Sequence, residues 1–235
     1  MAKHRSKRYQ KAVALVEVGK TYSLNDAIGI VKQFPAPKFI PTVTLSFHLG
    51  VDPRKSDQMV RGSVSLPHGT GRNVRVAVFA QGSAAEAAIA AGAEHVGYED
   101  LIKRVQEGFT DFDSAIATPD AMAEVRKIAR ILGPRGLMPN PKTGTVTDDT
   151  AKAVREVKAG RIDFKLDKNG NVSGSIGKAS FETVQLFENG RAFVDGVVRA
   201  KPAAAKGNYI RSATLAASML PGLPLEASTY TKAIA

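Results

Sequence analysis

Reactive chemistry in this chain has to come from a short roster of side chains, because the sequence holds no cysteine, no tryptophan and only four histidines. Without cysteine, disulfides, thiolate zinc sites and a cysteine nucleophile are excluded, which suits a reducing compartment. His4, His48, His68 and His95 include no helical pair at metal-ligand spacing, so no metal site is expected. His48 alternates with strand residues, a pattern of packing or of surface position. No serine lies in a Gly-x-Ser-x-Gly elbow. The acid pairs Asp111 with Asp113 and Asp148 with Asp149 read as turn or first-turn residues favoured by helix dipoles, not as a general acid and base.

Two glycine-containing stretches approach phosphate-binding patterns and fail on physical grounds. Between Gly133 and Gly144, the positions Gly136, Lys142 and Thr143 have the spacing of a phosphate-binding loop, but its second glycine is Pro141. Such a cradle needs backbone N–H donors, and Pro139 and Pro141 remove two of them. The expectation is an ordered loop with Asn140 extended before a proline and Arg135 and Lys142 exposed. Gly69-Thr-Gly71-Arg-Asn-Val74 lacks the third glycine of a dinucleotide fingerprint and precedes a strand where the fingerprint follows one. The residues therefore predict neither catalysis nor a cofactor, and no small-molecule substrate.

Side chains suited to binding polyanions are better represented. Phe34-Pro-Ala-Pro-Lys38-Phe39-Ile-Pro-Thr42 sets an aromatic and a lysine between prolines at the start of a strand. Phe39 held there could stack on a base while Lys38 meets a phosphate, or Phe39 could be an ordinary residue at the edge of a core. Ser218-Met219-Leu220-Pro221-Gly222 places a hydroxyl and a thioether where the last strand stops, and Ser218 could donate to a ribose or a phosphate. In Gly50 to Gly71, Asp52-Pro53 starts a turn, and Val60, Gly62, Val64 and Leu66 share one face of a strand that Pro67 to Gly71 ends. Arg54, Lys55 and Arg61 lie close to Asp52 and Asp57 in sequence, so part of that charge is expected to be self-paired.

The elements that must position these residues fall into two patterns. In the middle of the chain a buried strand at 74–80, a helix at 84–91, a helix at 101–107 ended by Gly108, a strand at 115–118, a helix from Thr118-Pro119 to Leu132 ended by Gly133, and a helix at 148–159 succeed one another. That alternation predicts a Rossmann-like three-layer α/β domain at 69–159. The flanks predict a helix capped by Ser23-Leu-Asn-Asp26 and running to Gln33, strands at 42–49 and 60–66, a hairpin of 161–166 with 172–176, a helix at 181–199 and a strand at 209–217. Together, 1–68 and 160–235 predict one discontinuous α+β domain, an antiparallel sheet with helices on one face. Pro67, Gly69, Gly71 and Gly160 mark the two crossings and are the expected hinge.

Charge follows the same division. Of the net +11, residues 1–69 carry 11 basic and 4 acidic residues, 70–160 carry 12 of each, and 161–235 carry 10 and 6. A surplus confined to the flanks is expected of a domain that meets phosphates on one face. The basic N-terminus is followed by an apolar run, Ala12 to Val16, broken by Glu17, too short for a signal core or a membrane span. The expectation is a cytoplasmic protein with no membrane partner.

The stretches Gly50-Val-Asp-Pro-Arg-Lys-Ser-Asp57, Val60-Arg-Gly62, Leu66-Pro-His-Gly-Thr-Gly71, Ile131 to Lys142, Lys158-Ala-Gly-Arg161 and Gly177-Lys-Ala-Ser-Phe181 resemble those of the bacterial large-subunit ribosomal protein L-one family over nearly the whole chain. The resemblance implies a ribosome-bound, non-enzymatic protein whose first domain, made from both termini, binds large-subunit ribosomal RNA in the mobile lateral stalk beside the tRNA exit site. It implies a part in releasing exit-site tRNA and, in many members, repression of their own operon through its mRNA. Matched by position, it assigns RNA contact to Lys38, Phe39, Thr42, Lys55, Lys165, Asp167, Ser212, Ser218 and Met219. Leu220 departs from the glycine of the family's Thr-Met-Gly, adding bulk where a close approach of backbone to RNA is expected. A nucleotide-binding enzyme built on the neutral middle segment is the rival reading, resting on fold analogy alone.

Overall fold

A computed structural model describes residues 5–205, 207–227 and 230. In chain order the elements are α1 (Lys7–Val13), α2 (Leu24–Gln33), β1 (Thr42–Leu49), β2 (Arg61–Ser65), β3 (Val76–Phe79), α3 (Ser83–Ala90), β4 (His95–Gly97), α4 (Glu99–Gln106), β5 (Ser114–Ala117), α5 (Met122–Val125) and α6 (Ala129–Leu132). They continue with α7 (Thr150–Lys158), β6 (Arg161–Lys165), β7 (Asn171–Lys178), α8 (Thr183–Arg199), β8 (Ile210–Ala217) and β9 (Leu223–Leu225). The chain divides into two compact units, 1–71 with 162–235, and 72–161.

The first unit is built on a four-stranded antiparallel sheet in the order β7-β1-β8-β9. Strand β1 alternates along its whole length, with Val43, Leu45, Phe47 and Leu49 buried and Thr42, Thr44, Ser46 and His48 half-buried. One face therefore makes the core and the other stays open, as expected of an antiparallel sheet covered on one side. Helix α2 starts where the Ser23 hydroxyl accepts the Asp26 N–H at 3.2 Å and donates to the Asp26 carboxylate at 2.7 Å, and it buries Leu24, Ala27, Ile28 and Val31. Helix α8 opens with a Glu182–Gln185 capping box and buries a stripe at Leu186, Asn189, Gly190, Phe193, Val194 and Val197. Phe193 stacks on Phe47 at 5.9 Å and meets Phe164 edge-on at 5.8 Å, joining helix, main sheet and β6 in one core. The fit leaves no room for a methyl group: a Cβ on Gly174 of β7 would lie 2.5 Å from Phe193, and one on Gly196 of α8 would lie 2.1 Å from Val64.

The expected hairpin between 161–166 and 172–176 is corrected. Strand β6 pairs with β2 in a separate two-stranded sheet, while β7 pairs with β1. The two segments are joined at the turn, where the Asp167 N–H donates to the Asn171 carbonyl at 2.8 Å. They part because Phe164 and Ile162 are drawn into the core against Phe193 and Gly174.

The second unit is a parallel sheet in the order β4-β3-β5 with helices on both faces. All of β3 is buried, Val76 and Val78 packing with Ala88, Val154 and Val157 on one side, and Ala77 and Phe79 with Leu101, Ile102 and Val105 on the other. The helix expected from Thr118 to Leu132 is instead broken into α5, a 3-10 turn at Arg126–Ile128, and α6. The Thr118 hydroxyl lies 3.4 Å from the Ala121 N–H, a weak start, and the tight turn eclipses Val125 and Ile128 onto one fully buried face. Gly133 has an ordinary φ of −58, and the left-handed position falls at Gly136 with φ 72. Asp111 and Asp113 are ion-pair partners, not turn acids: Arg75 donates to both carboxylates and Arg72 to Asp113 at 2.6 Å. No helix among the described residues is long and apolar enough to cross a membrane.

Candidate nucleic-acid interface

The open face of the four-stranded sheet gathers short hydroxyl side chains in register. Ser175, Ser173 and Asn171 of β7 stand opposite Thr44, Ser46 and His48 of β1, and Ala216, Thr214 and Ser212 of β8 stand opposite the same three from the other side. Lys178 faces Thr42 at the end of this ladder, and its ammonium donates to the Thr42 hydroxyl at 2.8 Å. The hydroxyls of Ser46 and Ser173 lie 3.0 Å apart. From Thr42 to His48 the ladder is about 20 Å long, with short side chains at Thr44, Ser46, Ser173 and Ser175 along its centre.

One end of the face is braced by a polar relay. The Asp167 carboxylate accepts the backbone N–H groups of Asn169 at 2.8 Å and Asn171 at 2.7 Å, together with the Asn171 side-chain amide at 3.2 Å. These donors, the Asn171 N–H foremost, hold the Asp167 carboxyl below its usual value. With the Asn171 amide nitrogen turned to Asp167, its oxygen accepts from His48 Nδ1 at 3.0 Å, leaving Nε2 of the His48 ring for a partner on the open face.

At the other end, the Thr42 carbonyl accepts both the N–H of Ser218 at 3.0 Å and its hydroxyl at 3.4 Å. The turn that follows closes with the Leu220 N–H on the Ala217 carbonyl at 3.0 Å and holds Met219 at φ 61, the only non-glycine residue with positive φ among those described. Leu220 is 9% exposed and belongs to the core, whereas Met219 is 69% exposed. The extra bulk of Leu220 therefore lies beneath the surface and does not stand on the open face as the sequence suggested. Beside this turn runs a groove lined by Phe34, Pro37, Lys38, Phe39, Pro41 and Leu220, with Phe39 45% and Ile40 60% exposed. Phe39 is thus a surface aromatic between prolines and not part of the core.

Of the positions assigned from the sequence, Thr42, Ser212 and Ser218 lie on the open face or at its end, and Lys38, Phe39 and Met219 border it. Lys55 is exposed in the loop after β1, and Lys165 is exposed on β6 in the other sheet. Asp167 reaches the face only through Asn171. Thr44, Ser46, Ser173, Ser175 and Thr214 were not singled out, although hydroxyls at alternate positions along three strands are a readable signal. The expected self-pairing of Arg54, Lys55 and Arg61 is corrected: among the described residues none of the three has a carboxylate within salt-bridge distance, because the Asp52 carboxylate turns to the Arg54 N–H at 3.0 Å.

At the first crossing, Pro67 is exposed, Gly69 and Gly71 both have φ 66, and the buried Asn189 accepts the His68 N–H at 3.0 Å and donates to the Gly69 carbonyl at 2.9 Å. At the second, Gly160 has φ 104 directly after α7. In the second unit, the 133–144 loop turns the Thr143 hydroxyl inward to the Asn140 carbonyl at 3.1 Å, and Arg135 donates to Thr110. The side chain of Lys142 lies outside the described residues. A crevice at the carboxyl ends of β3 and β5 is lined by Gln81, Ser83, Tyr98, Thr118, Asp120 and Asp148, and its two carboxylates oppose a phosphate. No group of three or more metal-binding side chains occurs among the described residues.

The chain is 55% identical over 221 residues to a protein of Salinispora tropica, covering 94% of this chain and 93% of that one, and 52% identical to one of Thermobifida fusca over 97% of each. A protein of Renibacterium salmoninarum is 54% identical over 100% of this chain and 99% of its own. All three are named large ribosomal subunit protein uL1. Residues 31–221 match the model of the Ribosomal protein L1p/L10e family, and the chain belongs to that family.

Proposed function

We propose that this protein is a non-catalytic component of the large ribosomal subunit that binds ribosomal RNA through the open face of the β7-β1-β8-β9 sheet. The observation that carries this reading is the ladder of hydroxyls along β1, β7 and β8, bordered by Lys38, Phe39 and Met219, in a chain of the L1p/L10e family. Double-stranded RNA offers a wide, shallow groove of 2′-hydroxyls and sugar edges, and short hydroxyl side chains exchange hydrogen bonds with it at close range. Large side chains here would hold the backbone off; Thr44, Ser46, Ser173 and Thr214 do not. The nine assigned positions then divide by role. Thr42, Ser212 and Ser218 meet sugar and backbone, Phe39 and Met219 pack on bases at the edge, Lys38, Lys55 and Lys165 meet phosphates, and Asp167 orients Asn171 and His48.

The two compact units serve as an RNA-binding domain and a second domain joined at Pro67, Gly69, Gly71 and Gly160, whose glycines let the chain pivot. In this reading the protein works on cytoplasmic ribosomes in the lateral stalk, assists departure of exit-site tRNA, and represses its own operon when its mRNA presents the same RNA shape. Co-sedimentation with purified large subunits and filter binding of large-subunit ribosomal RNA across a salt series test the proposal. Binding that weakens steeply with salt is expected. Absence of binding, or a flat salt response, contradicts it.

A further inference from the structure

The open face is nearly uncharged. Of the side chains in register there, only Lys178 carries a fixed charge, and its ammonium is engaged by Thr42; Arg211 is exposed at the His48 end, where β8 breaks register. An RNA lying on this face still needs its phosphates neutralised, so the cations must stand at the borders. At the Met219 end they stand on α1 and the residues before it. Arg5, Lys7, Arg8 and Lys11 lie within seven residues, α1 has no acidic residue in its first turn, and among the described residues none of the four has a carboxylate within salt-bridge distance.

The segment is fixed in place. The Ser6 hydroxyl accepts the Tyr9 N–H at 3.3 Å, the Gln10 amide donates to the Arg5 carbonyl at 3.1 Å, and Ala12 is fully buried. The Arg5 guanidinium stands 4.8 Å from the centre of the Tyr9 ring, and Arg8 reaches the Met219 carbonyl at 3.5 Å. Arg5, Ser6, Arg8, Tyr9, Met219 and Leu220 line one groove, which begins one residue beyond Ser218 and so continues the open face. Met219 is exposed there in a backbone conformation that costs a side-chain-bearing residue stability, the kind of strain that gathers at binding sites.

We infer that this groove seats a nucleotide of the same RNA that covers the sheet, its phosphate between Arg5 and Arg8 and its base against Tyr9 and Met219. The inference rests on the RNA-binding reading above. Charge complementarity and continuity with the open face select RNA as the occupant over an acidic protein.

The test uses the full chain and purified large-subunit ribosomal RNA, with affinity measured from about 50 to 400 mM KCl. Each neutralised phosphate adds roughly 0.7 to 0.9 to the slope of log affinity against log salt, so Arg5→Gln with Arg8→Gln, which frees the one phosphate held between them, lowers the slope by about 0.8. A charge-matched control, Lys103→Gln with Lys152→Gln on the second unit, keeps the wild-type slope. Tyr9→Leu weakens binding about tenfold with the slope unchanged, as loss of a stacked base requires. Equal slopes for the Arg5/Arg8 variant and the control, with wild type binding normally, overturn the groove assignment alone. Loss of co-sedimentation with large subunits at an unchanged RNA slope assigns the groove to a protein and overturns it too. Failure of the wild type to bind RNA removes the underlying reading.

Discussion

The carbonyl of Thr42, first residue of β1, accepts both the backbone N–H and the hydroxyl of Ser218, which follows the end of β8. Two segments 176 residues apart are thereby locked at one corner of the proposed RNA surface. The hydroxyl of Thr42 is held in turn by Lys178 from β7, so three strands converge on one residue.

Thr42→Val keeps the shape of the strand and removes the hydroxyl that orients Lys178. A hydrogen bond to a charged group contributes about 1.5 kcal/mol, so RNA affinity falls roughly tenfold. Filter binding alongside a melting curve checks this. The melting temperature stays within about 2 °C, because Thr42 faces outward.

Met219→Gly separates fold from function. Glycine relieves the φ of 61, so stability holds or rises by up to about 1 kcal/mol in urea unfolding. RNA affinity drops at the same time, since the exposed thioether is lost from the edge of the face. Leu220→Gly does the reverse: it opens a hole in the core and costs about 2 kcal/mol of stability.

Much of this architecture is legible in the residues. The alternation Thr-Val-Thr-Leu-Ser-Phe-His-Leu announces β1 and its two faces, and Ser23, Asp149 and Gly160 punctuate their helices as their chemistry requires. What is not legible is set by long-range packing. The run after Asp167 reads as the return strand of a hairpin, and only the burial of Phe164 beneath Phe193 sends β6 to a different partner. Strands β4 and β9 hold three residues each, too few for a period to show, and α1 reads only as a basic run. The hydroxyls of Ser46, Ser173 and Thr214 are unremarkable singly and become a surface once the register lines them up.

Asn189 is fully buried and gives its side chain to His68, Gly69 and Ile176. Asn189→Ala leaves three backbone groups without partners, and a cost of about 3 kcal/mol is expected in chemical denaturation. Asn189→Asp keeps an acceptor for the His68 N–H but buries a carboxylate against the Gly69 and Ile176 carbonyls, and at pH 7 it is expected to cost at least as much as the alanine variant.

Asp167 links stability to pH with a definite sign. The N–H groups of Asn171 and Asn169 hold its carboxyl below the ordinary value of 3.8, so the folded state binds its proton less readily than the unfolded chain. Its contribution is present above pH 3.8 and is lost as the pH falls through its lower folded value. Asp167→Asn therefore lowers stability at pH 7 and flattens the decline below pH 4, measured by urea unfolding at several pH values.

Gly174→Ala tests the assignment of faces on β7. The added methyl would strike Phe193 and costs at least about 2 kcal/mol, whereas Ser175→Ala, one residue on and facing outward, is nearly neutral for folding.

The central claim is that RNA lies directly on the hydroxyl face, and Ser46→Leu addresses it at the middle of the ladder. Leucine suits an outward strand position and leaves the melting temperature close to wild type, but its bulk lifts the RNA from the surface and forfeits several hydrogen bonds. Affinity for large-subunit ribosomal RNA is expected to fall by at least about a hundredfold, roughly 3 kcal/mol. Wild-type affinity from a properly folded Ser46→Leu protein would place the RNA elsewhere and contradict the account.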